Sequence, residues 1–92
     1  MCVKSLVITD YFKYRCTLRS FDLAQLETVV RYSSERYYDT ETQRHIIIGD
    51  SGGKLVMIAY EEDAQTITPV TVHAINRQQI RFRLTTGRFI YE

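Results

Sequence analysis

Residues 44–74 read RHIIIGDSGGKLVMIAYEEDAQTITPVTVHA, and this stretch decides the fold. Arg44 to Ile48 is a β-branched run of the kind that suits a pleated, half-buried surface. Gly49-Asp50-Ser51-Gly52-Gly53 closes it with turn chemistry, and Lys54 to Tyr60 is a second apolar run. Glu61-Glu62-Asp63-Ala64 reads as a charged, solvated turn. Thr66 to Ala74 reads as a third long strand, with Val70 and Val72 alternating against Thr71 and His73. Pro69 has no amide proton to donate. Its nitrogen should therefore face away from a partner, or the strand lies on an edge there. Consecutive strands with short turns make an antiparallel meander.

Upstream, Arg36-Tyr37-Tyr38 is extended-prone and Asp39-Thr40-Glu41-Thr42 supplies a turn, which adds a fourth strand. Before it, Asp22 can cap a helix, with Gln25 placed to reach back to the cap. Phe21 and Leu26 form a hydrophobic staple across the cap. Leu23, Leu26 and Val30 make one apolar stripe, so the helix should span Leu23 to Tyr32. An earlier helix, from about Tyr11 to Leu18, can be capped by Thr9 or Asp10, and Val3 to Ile8 reads as a short strand.

Downstream, Asn76 and Gln79 repeat the capping pattern, and Ile75 and Ile80 repeat the staple. Gly87 is placed to end the helix. The alternation of Ile80, Phe82 and Leu84 with Arg81 and Arg83 would also suit a strand. The coincident cap signals favour a helix from Arg77 to Thr85. The expected class is α+β: two N-terminal helices, an antiparallel meander of about four strands and a C-terminal helix, with the helices on one face of the sheet.

A chain of 92 residues corresponds to one domain. With 45% hydrophobic and 25% charged residues, its composition is that of a folded globular protein, not a disordered one. No apolar run reaches the roughly 20 residues that span a bilayer. Leu6-Val7-Ile8 is too short for the apolar core of a signal peptide, so a cytoplasmic location is expected. Cys2 and Cys16 are fourteen positions apart, with no ligand spacing suited to zinc, and reduced thiols are expected. No cofactor or metal site is anticipated.

The net charge of +1 conceals a pattern. Residues 1–20 carry +3, residues 21–41 carry −3, residues 61–75 carry −3 and residues 76–92 carry +3. Nine of the twelve cations are arginine, whose planar fork suits bidentate phosphate contact. If the two basic ends meet in the fold, they make one basic face.

Three segments carry a family resemblance: Tyr38-Asp39-Thr40-Glu41-Thr42-Gln43-Arg44, Lys54-Leu55-Val56-Met57-Ile58-Ala59-Tyr60, and Ile67 through Arg77. Together, over roughly the last two-thirds of the chain, they resemble BrnT-type toxins and related small domains of the RelE/ParE superfamily. The two N-terminal helices fit that layout as well. The resemblance implies a metal-independent endoribonuclease of a type II toxin–antitoxin pair. RNA would be its substrate, an antitoxin its protein partner, and a homodimer its assembly. In such enzymes the ribose 2′-hydroxyl is the nucleophile. The protein supplies a base, an acid and cations for the pentacoordinate phosphate.

Carried over by position, Arg44 matches the family's strand arginine, and His73 stands where a basic residue ends the last long strand. Arg77 and Arg81 lie on the first turns of the following helix. The implied roles are proton carrier for His73 and phosphate clamps for Arg44, Arg77 and Arg81. Tyr60 would orient RNA by stacking or hydrogen bonding. His45 points to the opposite face of its strand from Arg44. The chain departs from the family in its near-neutral charge and in carrying histidine at the strand end. The competing reading is a non-catalytic RNA- or protein-binding domain on the same fold. In that reading His73 is a surface histidine and Arg77 and Arg81 are solvated helix charges.

Overall fold

The computed structural model describes residues 4–92, which form an α+β domain in the order β1 (Ser5–Leu6), α1 (Asp10–Leu18), α2 (Leu23–Tyr32), β2 (Glu35–Asp39), β3 (Arg44–Ser51), β4 (Lys54–Glu62), β5 (Thr66–Ala74), α3 (Arg77–Thr85) and β6 (Phe89–Tyr91). Cys2 and Val3 lie outside the described residues. Cys16 is a free, buried thiol whose pKa is pushed up by burial.

All three helices start at side-chain caps. Thr9 Oγ1 accepts from the Phe12 amide, Asp22 Oδ1 from Ala24 and Asn76 Oδ1 from Gln79. Each satisfies a donor that the first turn leaves without an intrahelical partner. At α3 the capping box is complete, because Gln79 Oε1 accepts from the Asn76 amide. This settles Arg77–Thr85 as a helix. At α2 the expected box does not form. Gln25 Oε1 accepts from the Ser51 hydroxyl instead, which ties the helix to the end of β3.

The sheet has six strands in the order β1-β5-β4-β3-β2-β6. This corrects the four-stranded antiparallel meander: β1 pairs with β5 in parallel, and β6 adds an antiparallel edge beside β2. The central meander β2-β3-β4-β5 is antiparallel. The β3–β4 hairpin turns on Gly52 and Gly53 alone, both in the left-handed region at φ 59° and 85°. The strands therefore run further than the glycine-rich and acidic turn signals suggest. Gly49, Asp50 and Ser51 stay in β3, and Glu61 and Glu62 stay in β4. Pro69 pairs with Tyr60, beside a register shift between Ala59 and Tyr60 and beyond the two residues of β5 that pair with β1. The strand has no neighbour in the sheet on that side, so the missing amide interrupts no ladder there.

The helices occupy both faces of the sheet, not one. On the first face α1 and α2 bury Phe12, Cys16, Leu26, Val29 and Val30 against Ile47, Val56, Ile58, Tyr60 and Val72. Gly49 permits this closeness: a Cβ there would sit 2.5 Å from Val29 Cγ1. On the second face Ile80 of α3 packs with Tyr37, Ile46, Ile48 and Phe89. The chain leaves β5 near one edge of the sheet and returns as β6 at the other, so α3 crosses this face obliquely. One short helix covers only part of it, and a groove remains alongside.

Candidate functional site

The groove floor comes from β3, β4 and β5. Antiparallel pairing puts Met57 opposite His73, Ala59 opposite Thr71 and Ile46 opposite Ala59, so these side chains share one face. Arg44, two residues before Ile46, joins them. Arg44, Met57, Thr71 and His73 line one cavity of about 420 Å³ together with Asp39 and Arg88. A neighbouring cavity of about 350 Å³ is shared by His73, Met57, Gln79, Arg83 and Arg88. On the other side of Arg83, a cleft of about 830 Å³ runs along α3 past Phe82 to Thr40, Glu41 and the α3–β6 turn. Arg88 borders all three, and Met57 and His73 border the first two, so the cavities adjoin.

Arg88 is occupied. It forks onto the buried Asp39, with Nε at 3.1 Å from Oδ1 and Nη2 at 3.0 Å from Oδ2, and lies 3.5 Å from Glu41. Burial opposes ionisation of Asp39. The Arg88 fork and the amides of Thr42 and Glu41 outweigh it and hold the carboxyl below its usual range. That network anchors the β2–β3 turn and supplies the groove with little free charge.

Arg44 and Arg83 differ: among the described residues neither pairs with a carboxylate. Arg83 lies 5.4 Å from the centroid of the Phe89 ring and points Nη1 at Met57 Sδ, 3.2 Å away. Burial and the charge of Arg88 lower its pKa, and the guanidinium stays protonated at neutral pH. His73 sits in the floor that joins the cavities of these two arginines. Burial, then the positive charges of Arg19, Arg15 and Arg83, hold its imidazole below the usual value, so it is neutral at pH 7. Of the basic C-terminal segment, Arg83 and Arg88 share a cavity with His73.

The structure brings Arg44 and His73 together and separates the other residues singled out from the sequence. Arg77 lies on the other flank of α3, where Nη1 donates to both Glu35 oxygens at 2.8 and 2.6 Å. Burial opposes ionisation of Glu35. Hydrogen bonds from Arg77 and from the Tyr37 hydroxyl more than offset it, so this carboxyl too is held below its usual range. Arg81 is exposed and lines none of the three cavities. Tyr60 is 1% exposed, faces α1 and α2, and its hydroxyl accepts from Arg36 Nη1, so no ring face is open to a base. His45 stacks on Tyr60 with centroids 5.5 Å apart, on the face away from Arg44, as alternation requires. Arg83 and Arg88 were missed. The available signal was their place in the basic C-terminal segment.

Among the described residues, no group of three or more His, Cys, Asp or Glu side chains is placed to hold a metal ion. Among those residues, no helix is long and apolar enough to cross a membrane. Comparison of the chain with models of known protein families, with curated proteins and with solved structures finds no match.

Proposed function

We propose that this protein is an RNA-directed domain whose groove holds a phosphodiester between Arg44 and Arg83 and cleaves it without a metal. The supporting observation is the composition of two adjoining cavities that share the neutral His73. One carries Arg44, the other Arg83, and Met57 lies in the common floor. Neither arginine has a carboxylate partner among the described residues. Two fixed cations in a partly desolvated groove stabilise the charge that builds on phosphorus in the transition state. A neutral imidazole can take the proton of the 2′-hydroxyl as its oxygen bonds to phosphorus. The bond from phosphorus to the 5′-oxygen then breaks, that oxygen takes a proton from water, and the imidazolium returns its proton to the hydroxide left behind. The products are a 2′,3′-cyclic phosphate and a free 5′-hydroxyl. The toxin resemblance adds regulation: an antitoxin that covers the groove, in a cytoplasmic setting.

A second reading, RNA binding without cleavage, draws on a different observation. Among the described residues His73 is the only histidine lining the groove, and Asp39, the only carboxylate that lines the two cavities of His73, is held by Arg88. The acid half of an acid–base pair thus has no evident protein donor. One assay separates the two readings. Purified protein is incubated with labelled RNA in EDTA, and binding is followed in parallel. Cleavage to cyclic-phosphate ends that falls about a hundredfold or more in His73→Ala supports the nuclease. Salt-sensitive binding with no cleavage supports the second reading. Neither binding nor cleavage refutes both.

A further inference from the structure

We infer that the cleft along α3 is a recognition pocket for one unpaired guanine base next to the phosphate site. The inference rests on the groove reading above and extends it to sequence preference. The cleft volume, about 830 Å³, lies within the roughly 300–1,000 Å³ usual for small-ligand sites. Its wall contains Phe82, 67% exposed, although the core positions of α3 are Ile80 and Leu84. Packing does not account for a phenyl ring there, and leaving it in water is unfavourable. A base stacked on it would cover that surface.

The polar groups around Phe82 fit the Watson–Crick edge of guanine. Glu41 is exposed and held only loosely, 3.5 Å from Arg88, so its two oxygens are open on one side. Guanine presents two adjacent donors, N1–H and N2–H, that match a carboxylate. Adenine and cytosine set an acceptor ring nitrogen at that position, and uracil flanks its single N–H with two carbonyls. Gln79, one turn before Phe82 on α3, uses its carbonyl oxygen in the capping box, which leaves its NH₂ group to donate. That donor suits guanine O6 or N7. Arg83 borders both the cleft and the His73 cavity, so a base here has its own phosphate beside the histidine.

The test uses the whole protein and uncleavable 2′-O-methyl oligoribonucleotides: all-uridine, or with one central guanosine or adenosine. Affinity is read by fluorescence anisotropy. The guanosine oligomer should bind about tenfold or more tightly than the other two. Phe82→Ala should weaken its binding about tenfold. Glu41→Gln should bring the guanosine and adenosine oligomers to the same affinity. Equal binding of all three by the wild type, with the usual salt dependence, would overturn the pocket and leave the groove standing. If none of them binds, the groove reading itself fails and the pocket with it.

Discussion

The two faces of the sheet are built from similar strand residues and reach opposite ends. Under α1 and α2, Ile47, Val56, Ile58 and Val72 are sealed by two helices, and even Tyr60 and Arg36 are drawn into the packing. Under α3, Ile46 and Ile48 are covered by one helix, and the rest of the face stays open around Arg44, Thr71 and His73. The difference lies in connection length. The link from β1 to β2 carries two helices, whereas the link from β5 to β6 carries one helix of nine residues. The closed face carries stability, and the uncovered half of the other face leaves charged groups free for a ligand.

Substitutions should separate the two roles. Ile58→Ala, at a fully buried position on the closed face, should lower stability by about 2–5 kcal/mol in urea unfolding, with RNA affinity per folded molecule unchanged. Arg88→Ala leaves the Asp39 carboxylate buried without its partner and should cost about 3 kcal/mol at pH 7. The same pair fixes an acid limb. Asp39 has a folded pKa below the unfolded value of about 3.9, so between those values the unfolded chain binds more protons. Its contribution is complete above about pH 4 and is lost as pH falls through the depressed folded value. Acid denaturation of the wild type should thus be steeper below pH 4 than that of Arg88→Ala. Gly49→Ala should cost about 1–3 kcal/mol by forcing Val29 away from the sheet. Arg44→Ala and Arg83→Ala should change stability least, within about 0.5 kcal/mol. Each should nevertheless weaken RNA binding and reduce the salt dependence by about one counterion. If those two variants lower stability by more than about 1 kcal/mol and leave the RNA affinity of the folded molecules unchanged, the division of roles between the faces is wrong.

Much of the framework could be read from local patterns. Caps at Asp22 and Asn76, alternation along residues 44–74 and the staple residues placed α2, α3 and the central strands. Pairings that depend on distant partners were not readable. β1 is legible as a short apolar segment, but its parallel pairing with Thr66 and Ile67 is not. β6 is three residues that lie past a helix-ending glycine and pair back to β2. The same distinction applies to the groove. Arg44 and His73 follow from strand alternation. On α3, the stripe of Ile80 and Leu84 has two flanks, with Arg77 and Arg81 on one and Gln79 and Arg83 on the other. Which flank borders the open sheet is set by the direction in which α3 crosses it. Sequence periodicity carries no information on that direction. A tyrosine such as Tyr60 suits a solvent-facing sheet or a core equally, and only the family resemblance pointed it towards RNA. Only its register with His45 and its bond to Arg36 decide between them.

The most direct measurement follows the ring protons of the two histidines by NMR as a function of pH, with and without an uncleavable 2′-O-methyl oligoribonucleotide. A phosphate seated between Arg44 and Arg83 favours the protonated imidazole of His73. The His73 titration should therefore move to higher pH on binding, while the His45 signals, on the opposite face, respond little. A His73 titration that the oligonucleotide leaves in place, or a response centred on His45, would contradict it.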